Sequence, residues 1–186
     1  YLRETSDWRF VNEQVAKASE DFLAKLENWR GSLGLYKTFL SPTDDPVEYP
    51  YLTYNNALVW KALQVIAQVF QKRGQAEQSA EVRAQSAVLR QRIQEVCVTD
   101  SPLGPMYAWA VNDTGQAQLL DQPPGSLQLL AYYGFCPEDD PVYRNTVSWI
   151  HSEHNPDYCA GRFSAPACEH APYPWVLSLC YQLLTG

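Results

Sequence analysis

The feature that most constrains the fold is a pair of long helical segments with opposite surface character. From about Thr53 to Lys72, apolar residues leave almost no polar face, which is typical of a helix buried on all sides. From Ala76 to about Val96, Gln, Glu and Arg alternate with small and branched apolar residues, which predicts a helix with one narrow apolar stripe. A buried helix followed by a partner with a polar outer face is the unit of layered helical folds.

Other segments predict more helices of the same kind. Apolar residues recur every three or four positions up to Trp29, so a first helix is predicted with an N-cap at Ser6 or Asp7 and an end at Gly31. Three further helices are predicted to begin at Ser126, at Asp140 with Pro141 in the first turn, and near Trp175. About six helices are therefore predicted.

One small hairpin and one short repeat interrupt the helical pattern. Residues 107–111 and 116–120 flank the turn sequence Asn112-Asp113-Thr114-Gly115, which predicts a β-hairpin. The tetrapeptide Asp-Asp-Pro-Val occurs at residues 44–47 and again at 139–142. It indicates either a structural repeat or two independent helix-capping sites, and the second interpretation is favoured.

Composition and charge limit the classes of partner. Apolar residues make up 46% of the 186 residues and the formal net charge is -7 without a basic stripe, so nucleic acid and membrane are not expected partners. The five cysteines are odd in number and irregularly spaced, which favours a reducing compartment and a cytoplasmic location. The sequence leaves open whether Cys159 and Cys168 form a single disulfide bond.

Carboxylates are the first candidates for chemistry. Asp44 and Asp45 lie in a proline-rich loop that leads into Tyr54, Asn55 and Asn56, and Asp121 lies in a loop with two prolines. Glycoside hydrolysis needs two carboxyl groups at a fixed separation, and aromatic faces and amides nearby can bind sugars. On composition alone, turn and capping roles explain the aspartates better.

A cluster of metal-competent residues is the second candidate. His151, His154, Cys159, Cys168 and His170 fall within twenty residues, but their spacing matches no compact zinc pattern. A helical interaction domain with a zinc clip is therefore a minor alternative. His170 alone is a candidate polar contact for a ligand. The sequence has neither a glycine-rich phosphate loop nor a Gly-x-Ser-x-Gly motif.

Two segments resemble a known family. They run from Asp121 to Cys136 and from Tyr143-Arg144-Asn145-Thr146, through Asn155-Pro156 and His170, to Trp175. Together they resemble glycoside hydrolase family 125, the metal-independent exo-α-1,6-mannosidases, although the family's Asp-Asp pair is Leu120-Asp121 here. The segment Tyr54-Asn55-Asn56-Ala57-Leu58-Val59-Trp60 resembles the start of an inner helix in the six-hairpin glycosidases.

The resemblance implies both a fold and a reaction. The fold would be all-α, a partial (α/α)6 toroid of antiparallel helix hairpins. The reaction would be inverting hydrolysis of an α-linked glycoside, with an α-mannoside favoured and with neither cofactor nor metal. Asp121 matches the family's general acid, and the base carboxylate would lie beyond residue 186. The substrate-binding candidates are Asp44, Asp45, Tyr54, Asn55, Asn56, Ser126, His170 and Trp175.

The toroid implied by the resemblance has twelve helices, about twice the number predicted here. We therefore expect residues 1–186 to form one domain that is about half of a catalytic domain. Its partners would be a carbohydrate and either the remaining half of the toroid or a second copy of itself. The alternative function is a non-catalytic carbohydrate-binding or scaffold domain on the same fold.

Overall fold

The computed structural model describes residues 8–168 and 170–185. Within these ranges the α-helices are α1 (Glu13–Leu26), α2 (Thr53–Lys72), α3 (Ala76–Val96), α4 (Pro141–Ile150) and α5 (Val176–Thr185). Two short 3₁₀ helices span Glu27–Trp29 and Leu127–Leu129. No helix in the described part of the chain is long and apolar enough to cross a membrane.

In the part of the chain that the structure describes, seven two-residue strands lie between the helices. They are β1 (Tyr51–Leu52), β2 (Val98–Thr99), β3 (Met106–Tyr107), β4 (Ala110–Val111), β5 (Ala117–Gln118), β6 (Tyr158–Cys159) and β7 (Ala165–Pro166). All pairs are antiparallel, in the order β1-β4-β5 for the three-stranded sheet, with β2-β3 and β6-β7 as separate pairs. The predicted hairpin is confirmed as β4 and β5, whereas Tyr107 pairs with Val98 instead.

The antiparallel pair of α2 and α3 forms the main body of the core. Small polar residues let the two helices approach closely, because the Ser79 and Ser86 hydroxyls of α3 bond to the α2 carbonyls of Ala67 and Trp60. The ring of Trp60 in turn meets Phe135 edge to face, with centroids 5.2 Å apart. The boundaries of both helices agree with those predicted from the apolar pattern.

The prediction that α2 is buried on all sides is wrong for one face. Leu58 is 36% exposed and Val65 is 40% exposed, while Trp60, Leu63 and Phe70 have almost no exposed surface. The residues of the exposed face lie seven positions apart and so share one side of the helix. The described residues bury one side of α2 and leave this apolar side uncovered.

The first helix is shorter than predicted. Its N-cap is Asn12, whose side chain accepts a hydrogen bond from the Val15 N–H at 3.1 Å, and Phe10 and Val11 lie in the turn before it. The predicted caps Ser6 and Asp7 lie outside the described residues. At the other end the α-helix stops at Leu26 and tightens into the 3₁₀ turn.

The predicted helix at Ser126 is also shorter. Ser126 does act as an N-cap and accepts a hydrogen bond from the Gln128 N–H at 3.1 Å, but only one 3₁₀ turn follows. The Leu127 N–H is held by Asp121 at 2.8 Å, and Gly134 turns the chain with a positive φ of 75°. The Leu127 N–H lies at the first position of the helix, where Asp121 satisfies it, and the turn at Gly134 ends the segment.

The two Asp-Asp-Pro-Val segments adopt different structures. Asp140 caps α4 as predicted, because its carboxylate accepts a hydrogen bond from the Tyr143 N–H at 3.0 Å. Asp45 caps no helix and instead accepts a hydrogen bond from the Thr43 hydroxyl at 2.7 Å within a loop. The two segments are therefore neither a structural repeat nor a pair of capping sites.

Exposed apolar side chains on α1 and α5 predict association of the segment when it is made alone. Phe22 on α1 is 39% exposed, and Val176 and Leu183 on α5 are 74% and 86% exposed. We expect light scattering coupled to size exclusion to show a mass that rises with concentration. A monomer with one sharp, cooperative unfolding transition would contradict this expectation.

Candidate functional site

The Asp121 carboxyl is the most strongly perturbed acid of the described residues. It follows β5 in a loop that contains a cis peptide bond between Pro123 and Pro124, and it has no exposed surface. Its Oδ1 accepts the hydrogen bond from the Leu127 N–H, while its Oδ2 is buried without a partner. Burial, with a smaller contribution from the Asp157 charge, raises the pKa of Asp121 to about 7 in spite of the hydrogen bonds from the Leu127 N–H and the Ser126 hydroxyl, which lower it.

Two tyrosines, Tyr54 and Tyr181, stand near this carboxyl, and a third, Tyr133, contacts Tyr54. The hydroxyl oxygens of Tyr54 and Tyr133 are 3.4 Å apart, and the Tyr181 hydroxyl donates a hydrogen bond to the Pro124 carbonyl at 2.8 Å. Burial raises the pKa of Tyr54 and of Tyr181, and the nearby Asp121 charge raises both further. Tyr133 and Tyr181 were not predicted as site residues, since their sequence neighbourhoods read as apolar helix.

A second cluster joins residues from opposite ends of the chain. His170 Nδ1 lies 3.1 Å from Asp45 Oδ2, and its ring meets Trp175 edge to face with centroids 6.4 Å apart. Both members of the Asp45–His170 pair are about half exposed. These three residues come from the predicted set, and the fold brings them together across 125 residues of sequence.

The loop of this second cluster packs against the loop of Asp121. The α-carbon of Gly125 lies so close to Pro42 that even a methyl group there would overlap its ring. Asp44, next to Asp45, is exposed and adopts a left-handed φ of 64°. The contact at Gly125 places the loops of Asp45 and Asp121 side by side.

The side chains of the adjacent residues Asn55 and Asn56 lie in different surroundings. Asn55 is half-buried and lines a cavity of about 250 Å³ that also contacts Trp29 and Phe39, whose rings stack with centroids 5.8 Å apart. Asn56 has no exposed surface, and its amide bonds to the backbone of Tyr36 and Leu52. The structure therefore gives Asn56 a structural role.

The histidine and cysteine cluster is dispersed in the fold. His151 Nε2 lies 2.9 Å from Gln128 Oε1, whereas His170 is bonded to Asp45. Cys159 and Cys168 are both free thiols, so the bridge left open by the sequence is not formed. Residues 8–168 and 170–185 contain no group of three or more His, Cys, Asp or Glu that could hold a metal ion.

Comparisons with known proteins identify relatives that are longer than this chain. The Meiotically up-regulated gene 157 protein of Schizosaccharomyces pombe is 31% identical over 158 residues, which cover 82% of this chain and 31% of the relative. A metal-independent alpha mannosidase from Streptococcus pneumoniae, solved in a non-productive complex with alpha-1,6-mannobiose, superposes with a TM-score of 0.91 at 22% identity. This match covers all of the chain and 52% of that structure.

A more distant structure shares part of the fold. The GH78 family rhamnosidase of Bacillus sp. GL1 superposes with a TM-score of 0.61 at 16% identity, over 82% of this chain and 16% of that one. Together with the helix pairs described above, the structural matches confirm the predicted class, a partial all-α (α/α)6 toroid. The sequence profile of the metal-independent alpha-mannosidases (GH125) matches residues 2–186, so the chain belongs to glycoside hydrolase family 125.

Proposed function

We propose that the protein containing this segment hydrolyses α-mannosides with inversion of configuration, with Asp121 as the general acid. Family membership and the match to the Streptococcus pneumoniae alpha mannosidase support the class of substrate. The chain spans about half of that structure and under a third of the Schizosaccharomyces pombe relative, so we place the second carboxylate, the base, beyond residue 186.

The observation that carries the proposal is the state of the Asp121 carboxyl. A general acid must hold its proton near the working pH, and a pKa raised to about 7 meets this condition. One oxygen is fixed by the Leu127 N–H and the other, Oδ2, has no partner, which leaves Oδ2 to carry the proton. Because Asp121 has no exposed surface, neighbouring side chains must move aside before Oδ2 can reach a glycosidic oxygen.

The substrate would lie between the two clusters. The exposed edges of Asp45 and His170 supply hydrogen-bonding groups, and Trp175 supplies an aromatic face for a sugar ring. Asp44, Tyr54 and Asn55 stay predicted substrate contacts. Ser126 and Asn56 are buried with their side chains bonded to backbone, so we do not include them among the groups that touch substrate.

The chemical step follows from two carboxyl groups on opposite faces of the sugar. Asp121 donates its proton to the leaving oxygen while the base removes a proton from a water molecule that attacks the anomeric carbon from the other face. The bond from carbon to the leaving oxygen breaks as the bond to water forms. The products are a β-configured sugar and a neutral leaving alcohol, with no covalent intermediate, and the step leaves Asp121 ionised and the base protonated.

Product stereochemistry in the full-length protein tests the proposal. With the methyl glycoside of alpha-1,6-mannobiose as substrate, whose reducing end cannot mutarotate, proton NMR during the first minutes should show β-mannose before mutarotation produces the α-anomer. An α-anomer that appears first would overturn the inverting mechanism. Saturable mannobiose binding without any turnover would instead support the non-catalytic alternative.

A further inference from the structure

We infer that Asn155 is a positioning residue that holds the backbone of Asp121 so that its carboxyl is aimed correctly. Asn155 is 34 residues away in sequence and only 2% exposed. Its side chain makes a reciprocal pair of hydrogen bonds with the Asp121 peptide groups. The inference rests on the proposed role of Asp121 as general acid and adds a residue that acts through it.

The Asn155 side chain bonds to both the N–H and the carbonyl of Asp121, and we call this pair of hydrogen bonds the clamp. Asn155 Oδ1 accepts a hydrogen bond from the Asp121 N–H at 3.2 Å, and Asn155 Nδ2 donates to the Asp121 carbonyl at 3.2 Å. The same Nδ2 donates to the Ile150 carbonyl at the end of α4, also at 3.2 Å. The amide therefore fixes Asp121, two residues before the proline pair, to the end of α4.

A second contact ties the same two loops together. Asn155 Oδ1 also accepts a hydrogen bond from the Asp157 N–H at 3.3 Å, and the Asp157 carboxylate accepts one from the Gln122 side chain at 3.0 Å. Asp121 and Gln122 are thus each bonded to the loop at residues 155–157. None of these hydrogen bonds involves Oδ2, which stays without a hydrogen-bond partner.

The clamp matters because proton donation depends on the position of one oxygen. Oδ1 is fixed by Leu127, so the place of Oδ2 follows from where the Asp121 backbone sits. A displacement of about 1 Å at a reacting group can cost about 100-fold in rate. Loss of the clamp should therefore reduce the rate enhancement that comes from proton donation by Asp121. Activation of the attacking water by the base should be unaffected.

The test compares two leaving groups in the full-length protein. An activated 2,4-dinitrophenyl α-mannoside needs little protonation of its leaving oxygen, whereas alpha-1,6-mannobiose needs it fully. Asn155→Ala should lower kcat for mannobiose by about 100-fold and kcat for the dinitrophenyl substrate by less than about 5-fold. A purely structural role of Asn155 would lower both rates by the same factor, and that result would overturn the inference.

Asn145→Ala is the matched control. Asn145 lies on α4, and its side chain donates a hydrogen bond to a backbone carbonyl, that of Pro105, at 2.9 Å, with no hydrogen bond to Asp121. It should change the two rates equally or leave both unchanged. Should Asn155→Ala fail to fold, Asn155→Ser is measured instead, and the same difference between the two substrates decides.

The variant Asp121→Asn distinguishes a failure of this inference from a failure of the proposed function. Asp121→Asn should show the same selective loss on mannobiose, only larger. If Asp121→Asn shows no difference between the two substrates, the proposed role of Asp121 fails. If it does show one while Asn155→Ala lowers both rates equally, only the clamp fails.

Discussion

Replacing Asp121 with asparagine is expected to lower kcat for mannobiose hydrolysis by about 10²–10⁴-fold, the usual contribution of a general acid. The substitution keeps the shape of the side chain, and its Oδ1 can still accept the hydrogen bond from the Leu127 N–H. What is lost is the acidic proton at the position of Oδ2. The measurement is steady-state kinetics of the full-length protein and the variant under saturating substrate.

The pH profile gives a second signature of the same group. With a folded pKa of about 7, Asp121 loses its proton as the pH rises through 7, so the wild-type rate should fall on that side of the profile. The residual rate of Asp121→Asn should lack this alkaline limb. An alkaline limb that persists unchanged in the variant would assign the limb to another group.

The free energy of unfolding distinguishes a variant that has lost only the acid from one that has lost its fold. Burial raises the Asp121 pKa from 3.8 to about 7, so between these values the folded protein binds more protons than the unfolded chain. The free energy of unfolding contributed by this group therefore falls as the pH rises from 4 to 7. Above pH 7 the Asp121→Asn variant should be at least as stable as wild type, because it has no buried charge.

The parts of the fold that follow from local sequence were predicted well. The apolar pattern of α2 and α3 gave their boundaries, and Asp140 before Pro141 marked the start of α4, because caps and periodicity act over a few residues. The helix predicted at Ser126 begins there, with Ser126 as its N-cap, but it is only one 3₁₀ turn long, and the left-handed Gly134 closes the turns that follow. The apolar pattern of residues 127–133 does not show where the helix ends.

The residues of the candidate site likewise fall into those that were predicted from the sequence and those that were not. The resemblance to the family predicted Asp121, His170 and Trp175, and loop composition predicted Asp45. The fold brings Asp45, His170 and Trp175 together. The clamp by Asn155 and the hydroxyls of Tyr133 and Tyr181 depend on packing between segments far apart in sequence. Residue type and spacing alone cannot show such contacts.

The second large effect is expected at Asn56, where the structure gives a predicted sugar contact a structural role. Its Oδ1 accepts a hydrogen bond from the Tyr36 N–H at 2.8 Å, and its Nδ2 donates to the carbonyls of Tyr36 and Leu52 at 3.0 and 2.9 Å. All of these groups are buried, and they join the loop before β1 to the first turn of α2. The Asn56 side chain therefore satisfies the N–H and the carbonyl of Tyr36, as the backbone of a neighbouring strand would.

Asn56→Ala would leave one buried N–H and two buried carbonyls without this partner. Each unsatisfied buried group costs about 1–3 kcal/mol, so the free energy of unfolding should fall by about 3 kcal/mol or more. Guanidinium unfolding of the full-length protein, followed by tryptophan fluorescence, measures the change. Asn55→Ala, one residue earlier on the half-buried face, is the control and should change the free energy of unfolding by less than about 1 kcal/mol. Equal losses in the two variants would contradict the structural role, because only Asn56 bonds to the Tyr36 backbone.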